Sequence, residues 1–287
     1  MKQITIEFKC KEQINIYYHI VIIGAGGTGG LVIQQLAQMF SMFGIFGKIV
    51  IAEPDLFEEK NLRNQLCLPK DINKNKADVL AQRYRAAYQM DIATYTSGYV
   101  EDVKTIEKLY ETTYERCNGF NTKYVPVLIS CVDNNYSRKV FHQFFEQADD
   151  LLYLDVGNET IDLPEDYQTR PKEQWSEEEL DRYHNSGFTG QLVCGLKLRG
   201  QVITEPIASI FPDILEDNDE IAPPSKLSCQ ELAASLPQRL IVNRYSAMSV
   251  ITILNEIFET GSLSTHKVFY HAKKAFMKSV PIIAKRQ

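Results

Sequence analysis

The sequence contains no Cys-x-x-Cys pair. Its six cysteines, Cys10, Cys67, Cys117, Cys131, Cys194 and Cys229, are scattered along the chain. That scatter argues against a thiolate zinc site. Met1 to Lys11 lacks the apolar stretch of a secretory leader, so reduced thiols and a cytoplasmic location are expected. No apolar run reaches the roughly 18 residues of a membrane span. Gln38, Ser41 and Lys48 interrupt the best candidate. An excess of positive charge is missing too. Lys and Arg number 31 against 37 Asp and Glu, a formal charge of −6, which argues against nonspecific nucleic-acid binding. Internal repeats and low-complexity tracts are absent. What is present is a globular balance, 44% hydrophobic and 24% charged over 287 residues. A chain of that length can bury a core without disulfide or metal.

Hydrophobic patterning predicts alternating strands and helices. Ile16 to Ile23 ends in His-Ile-Val-Ile-Ile, as a strand buried on both faces would. Further strands are predicted at Lys48–Ala52, Ile92–Tyr95, Val127–Val132 and Leu151–Val156. Helices are predicted at Leu31–Phe43, Lys76–Met90, Val103–Tyr114 and Ser137–Gln147. This order implies an α/β, Rossmann-like, doubly wound and mostly parallel sheet with helices on both faces. Beyond it, Asn158 to Gly187 reads as a polar insertion. Gly190–Leu198 and Gln201–Thr204, turning at Arg199-Gly200, read as an antiparallel extension. Pro212 to Pro224, with five acids and no base, reads as a mobile loop. Gln238–Phe258 reads as a long helix and Lys267–His271 as a last strand.

Gly24, Gly26 and Gly29 form Gly-x-Gly-x-x-Gly between the first strand and helix, with Gly27 among them. Such a loop lets the backbone approach a phosphate at a helix N-terminus. Glu53 ends the next strand, where an acid can accept hydrogen bonds from a ribose. These features alone do not separate a redox dinucleotide from ATP. The next segment does. It carries Asp55, Asn61, Arg63, Asn64 and Gln65, then Lys76 at a helix start. The fourth strand ends in Cys131-Val132-Asp133. Strand C-termini converge on one crevice in a doubly wound sheet. Arg63 and Lys76 there suit a triphosphate, and Asp133 suits magnesium, which takes only one or two carboxylates. A dehydrogenase has no need of this set.

The order of these motifs resembles the ThiF/MoeB/E1-like adenylating superfamily, and the late segment is similar to bacterial ThiF-like proteins of PRTRC systems. Leu154-Asp155-Val156-Gly157-Asn158, Gly190-Gln191-Leu192-Val193 and Phe211-Pro212-Asp213 carry the second likeness. Cys229, followed by Ala-Ser-Leu-Pro before a long helix, looks like the catalytic-cysteine segment of a small E1. The resemblance implies a single adenylation domain. Its parts would be a nucleotide-binding half over 1–157, an insertion over 158–188 and a partner-binding half over 189–287 with a crossover loop. It implies ATP and Mg2+ as cofactors. The partner would be a ubiquitin-like or sulfur-carrier protein whose C-terminal glycine is adenylated. It also implies a homodimer, for which Ile45 and Phe46 offer apolar surface. Glu53 takes the ribose-binding place, Lys76 the phosphate-binding lysine, and Asp133 the magnesium and catalytic aspartate. Asn61 and Gln65 take polar positions around the triphosphate.

Three departures stand out. Asn64 replaces the usual arginine, with Arg63 one place early. The family's CxxC pairs are absent, and the first 20 residues hold no arginine to reach across a dimer, leaving Lys9 or Lys11. Two other readings stay open: a nicotinamide-dependent oxidoreductase, resting on the glycine loop and Glu53, and a noncatalytic partner-binding relative, resting on Asn64. Cys229 reads either as a thiolate acceptor near a helix start or as a capping cysteine. Cys131 and Cys194 read as packing residues, and His184 as solvated. Arg138 can reach an adenylate or anchor its helix on Asp155, and the anchoring role is favoured.

Overall fold

The computed structural model describes residues 2–8, 15–111, 122–216, 223–226 and 238–284. Among them, the strands are β1 Ile6–Glu7, β2 Asn15–Ile23, β3 Gly47–Ala52, β4 Ile92–Tyr95, β5 Thr122–Ser130 and β6 Leu151–Asn158. The later strands are β7 Thr189–Leu198, β8 Gln201–Thr204, β9 Ser262–Leu263, β10 Thr265–His271 and β11 Phe276–Pro281. The helices are α1 Gly27–Phe43, α2 Lys76–Tyr88, α3 Val103–Leu109, α4 Asn135–Gln147 and α5 Glu177–Asn185. Two short turns, α6 Ile207–Ile210 and α7 Asp213–Glu216, precede the long α8 Leu240–Thr260.

One nine-stranded sheet runs in the order β11-β10-β7-β6-β5-β2-β3-β4, with β8 paired to β7. The five strands from β6 to β4 are parallel. The strands from β7 to β11 are antiparallel to their neighbours. The expected parallel core with an antiparallel extension is therefore present. Residues alternate between faces along β2. Ile20 and Ile22 join the core under α1, α2 and α8, while Val21 and Ile23 join the core under α3 and α4. A strand covered on both faces is mostly apolar, and β2 is buried from Tyr17 to Ile23 with His19 as its one polar side chain there.

Several boundaries move for local reasons. α1 starts at Gly27 rather than Leu31, because the glycine motif itself forms the first turn. β5 starts at Thr122 and ends at Ser130, so Cys131 and Val132 lie beyond it. Its first half pairs with β2 only, since β6 joins from Val127, and so it does not read as a buried run. α3 ends at Leu109. α8 ends at Thr260, and Gly261, with φ of 73°, caps it in the left-handed conformation. β11 is an unanticipated edge strand. The polar insertion is folded. Arg170 bridges Asp166 and Glu179, and Ser176 with Glu179 forms a capping box on α5. Its neck is closed by the Glu159 carboxylate, which accepts from the N–H groups of Phe188 and Thr189. The acidic segment expected to be mobile begins as α7, and residues 217–222 lie outside the described residues. Among the described residues, no helix is long and apolar enough to cross a membrane.

His19 lies fully buried in β2, with Nδ1 2.9 Å from the Tyr124 hydroxyl. Burial, with help from the Lys48 charge, pushes its pKa down from 6.5 to about 4. Between those values the unfolded chain binds the proton and the folded one does not. Stability therefore falls as pH drops from 6.5 towards 4. At 1.36 kcal/mol per unit, the expected loss is about 3 kcal/mol. Urea unfolding across this range should show that slope. His19→Gln, which cannot titrate, should flatten it, and an unchanged slope would acquit His19.

Candidate nucleotide-binding site

β2 has β5 on one side and β3 on the other, so the turn after it leaves the sheet where strand order reverses. Ligand crevices of open α/β sheets form at that point. Gly24 has φ of 94°, and a Cβ there would lie 2.7 Å from the Cys131 carbonyl oxygen. A Cβ on Gly29 would lie 2.0 Å from the Gly24 oxygen. Both positions therefore demand glycine. Among the described residues no side chain caps α1 at Gly26, which leaves its first N–H groups and positive dipole for an anion.

Glu53, at the end of β3, is 7% exposed. Its Oε2 accepts from the Ala25 N–H at 2.8 Å, and its Oε1 accepts from the Asp55 N–H at 3.1 Å. It thus ties the glycine loop to the next strand. Burial pushes its carboxyl above the usual range, opposed by the Lys76 charge. Lys76 opens α2 and is nearly buried, with Nζ 3.1 Å from Asp55 Oδ2. The Tyr99 hydroxyl donates to the other Asp55 oxygen at 2.6 Å. Burial raises the Tyr99 pKa, and this bond adds to the shift, so it remains a phenol donor. Two donors hold Asp55, and Asp55 holds the ammonium at the loop.

The segment after Asp55 turns through Glu59–Arg63 in one 3-10 helix. Asn61 is 5% exposed, and its Oδ1 accepts from the Glu58 N–H at 2.9 Å, shaping that turn. Arg63 and Asn64 are exposed, and Arg63 makes no ion pair among the described residues. Gln65 points at the glycine loop, with Nε2 4.0 Å from where a Gly26 Cβ would be. Its Oε1 is buried without a hydrogen-bond partner among the described residues. Arg83 of α2 secures the segment by bonding the Leu66 carbonyl and pairing with Asp71 at 2.7 Å.

Asp133 is exposed just past β5. The nearby Cys131 N–H bonds the Ile23 carbonyl at 2.9 Å, so this strand end abuts the glycine loop. The Asp133 charge reaches Tyr99 and Arg138. Glycine loop, Glu53, Lys76 and Asp133 thus share one sheet edge. Arg138 is engaged elsewhere. Its Nε lies 3.1 Å from Asp155, and its Nη2 bonds the carbonyls of Val132 and Val156. It anchors, as favoured. Burial raises the thiol pKa values of Cys131 and Cys194, as packing residues require. The Cys67 thiol is also raised, by burial and by Asp71. His184 is exposed. Cys229, Lys9 and Lys11 lie outside the described residues.

Sequence reasoning missed Tyr99 and a polar cluster on α8. Asn243, Ser246 and Ser249 are buried among Val242, Ala247 and Val250. Polar residues on the apolar stripe of a helix were the available signal.

The fold and this edge define an α/β protein with a glycine loop at the strand-order reversal. The ThiF family model matches residues 5–151, and the chain belongs to the ThiF family. A stretch of 80 residues is 35% identical to ubiquitin-activating enzyme E1 1 of Candida albicans, covering 28% of this chain and 8% of that protein. Another, of 127 residues, is 26% identical to ubiquitin-like modifier-activating enzyme 5 of rice, Oryza sativa subsp. japonica, covering 44% and 29%. The chain thus spans under a third of either curated relative. Among solved structures, E. coli MccB with ATP matches at a TM-score of 0.54 and 15% identity, over 92% of this chain and 63% of that one. E. coli MccB with AMPCPP and MccA matches at 0.55, with the same identity and coverage. These likenesses show the fold.

Proposed function

We propose that the protein uses ATP and magnesium to adenylate the C-terminal carboxylate of a small protein or peptide. The observation that carries this reading is the shared sheet edge of the glycine loop, Glu53, the Lys76–Asp55 pair and Asp133. MccB, crystallised with ATP and with MccA, and the E1-like relatives support it. A partner oxygen attacks the α-phosphorus, the bond to the bridging oxygen breaks, and pyrophosphate leaves with that electron pair. The product is an acyl-adenylate. Negative charge grows on the phosphoryl oxygens, and the α1 N–H groups, Lys76 and Arg63 supply fixed positive potential there. Glu53 and Asp55 serve the ribose side, while Asn61 and Gln65 shape the triphosphate side. Asp133 would hold magnesium together with nucleotide oxygens and water, and the ion would neutralise phosphate charge. Among the described residues, no cluster of three acids, His or Cys offers a self-sufficient site.

The finer reading is a ubiquitin-like or sulfur-carrier partner ending in glycine, bound by 189–287, with 1–157 holding the nucleotide and 158–188 inserted between them. Cys229 would accept the acyl group as a thioester. A homodimer would use the surface around Ile45 and Phe46, where Phe46 is 46% exposed. A monomer mass at micromolar concentration would count against the dimer. The central test is titration with ATP-magnesium and with NAD. ATP should bind and NAD should not, and the reverse would favour the oxidoreductase. With a glycine-ended partner, ATP–pyrophosphate exchange should appear. A thiol-sensitive adduct should form with the parent and vanish in Cys229→Ala, and its survival there would place the nucleophile elsewhere.

A further inference from the structure

We infer that Asn243, on the first turn of α8, is a nucleotide-binding residue that donates its carboxamide N–H to a phosphoryl oxygen at the glycine loop. The inference rests on the adenylating reading. Asn243 is 4% exposed, and among the described residues its side-chain hydrogen bonds are made by the oxygen. Oδ1 accepts from the Thr28 hydroxyl at 3.2 Å and from Asn158 Nδ2 at 3.1 Å. These two donors set the amide's orientation. They turn Nδ2 towards α1, where it has no acceptor among the described residues.

The direction of that nitrogen is informative. A Cβ on Gly27 would meet Nδ2 at 2.5 Å. In a helix, the Cα–Cβ bond tilts towards the N-terminus. Gly27 is the first residue of α1, so the point occupied by Nδ2 flanks the N-terminal mouth of that helix. There the N–H dipoles already favour an anion. A primary amide donor placed beside them extends the same potential. A donor at that mouth can pair with an oxyanion there, and a hydrogen bond to a charged acceptor is stronger than one between neutral groups.

The orienting shell is itself held. The Asn158 oxygen lies 2.7 Å from the Tyr270 hydroxyl and 2.5 Å from Ser246 Oγ. Ser246 Oγ also lies 2.8 Å from the Tyr270 hydroxyl. Strands β6 and β10 and helix α8 therefore fix one amide at the end of α1. Asn243 is long enough to touch the loop only because Gly27 has no side chain.

The test is titration of the full chain with ATP-magnesium by calorimetry, and with adenosine by ligand-observed NMR. Asn243→Ala should weaken ATP roughly tenfold, the range for a hydrogen bond to a charged group, and leave adenosine unchanged. Asn243→Asp can still accept from Thr28 and Asn158 but faces the loop with an anionic oxygen. It should weaken ATP on the order of 100-fold by like-charge repulsion. If Asn243→Asp binds ATP as the parent does, the inference falls. Equal losses for ATP and adenosine would mean a structural role and would also overturn it. Should the Asp variant not fold, the Ala variant's ATP-to-adenosine ratio decides. A parent that binds no nucleotide would sink the adenylating reading itself, which separates the two failures.

Discussion

Asp133→Asn should leave the protein folded and slow adenylation roughly 100–1000-fold, the usual cost of removing one group that stabilises transition-state charge. The side chain is exposed beyond the end of β5, so neither core nor sheet depends on it. The N-cap of α4 is supplied by Asn134, whose oxygen accepts from the Ser137 N–H at 2.8 Å, and the exchange leaves that cap alone. Asparagine has nearly the same shape but no charge to bring a divalent cation to the phosphates. Unfolding midpoints should match the parent, while ATP–pyrophosphate exchange with a glycine-ended partner should collapse. Exchange at the parental rate would remove Asp133 from the mechanism.

Arg138→Ala should destabilise the fold by about 3–5 kcal/mol, the cost of stranding one member of a buried ion pair. Asp155 is fully buried and has two side-chain partners in Arg138 and the Tyr153 hydroxyl, the latter 2.9 Å away. Removing the guanidinium leaves a carboxylate in the sheet interior, and frees the carbonyls of Val132 and Val156. A loss of that size is a large share of the 5–15 kcal/mol that ordinarily holds a domain. Urea midpoints give the measurement. Removing both charges, as Arg138→Leu with Asp155→Leu, should recover part of the loss, since no charge is then left unpaired. A cost below about 1 kcal/mol for the single change would show that water or a local shift replaces the arginine. Because Arg138 clamps the chain beside Asp133, the single variant should also lose activity, but through stability rather than chemistry.

Local features made much of the fold readable. β2 ends in the apolar run Ile20–Ile23, and helical periodicity marked α2, α4 and α8 to within a few residues. The Gly24–Gly29 motif between a strand and a helix located the loop, since a phosphate cradle needs those glycines in consecutive order. Glu53, Lys76 and Asp133 could be placed on one edge because parallel strands all point their C-termini the same way. The polar composition of 158–188 marked an insertion but hid its order, which comes from the Arg170 ion pairs and the α5 cap rather than from apolar burial.

What the sequence by itself determined is therefore what lies close along the chain or repeats with a strand or helix period: element types, the glycine loop and the acid after the next strand. What only the tertiary structure decided is which side chains meet across long separations. Tyr99 reaches Asp55 from 44 residues away, and Thr28 reaches Asn243 from 215 residues away. The choice of Arg138 between ligand and anchor likewise depended on Asp155 arriving from the neighbouring strand. Such contacts leave no periodic trace. A single polar residue on an apolar stripe carries no record of its partner, and the partner is chosen by how β6, β10 and α8 pack at the end of α1.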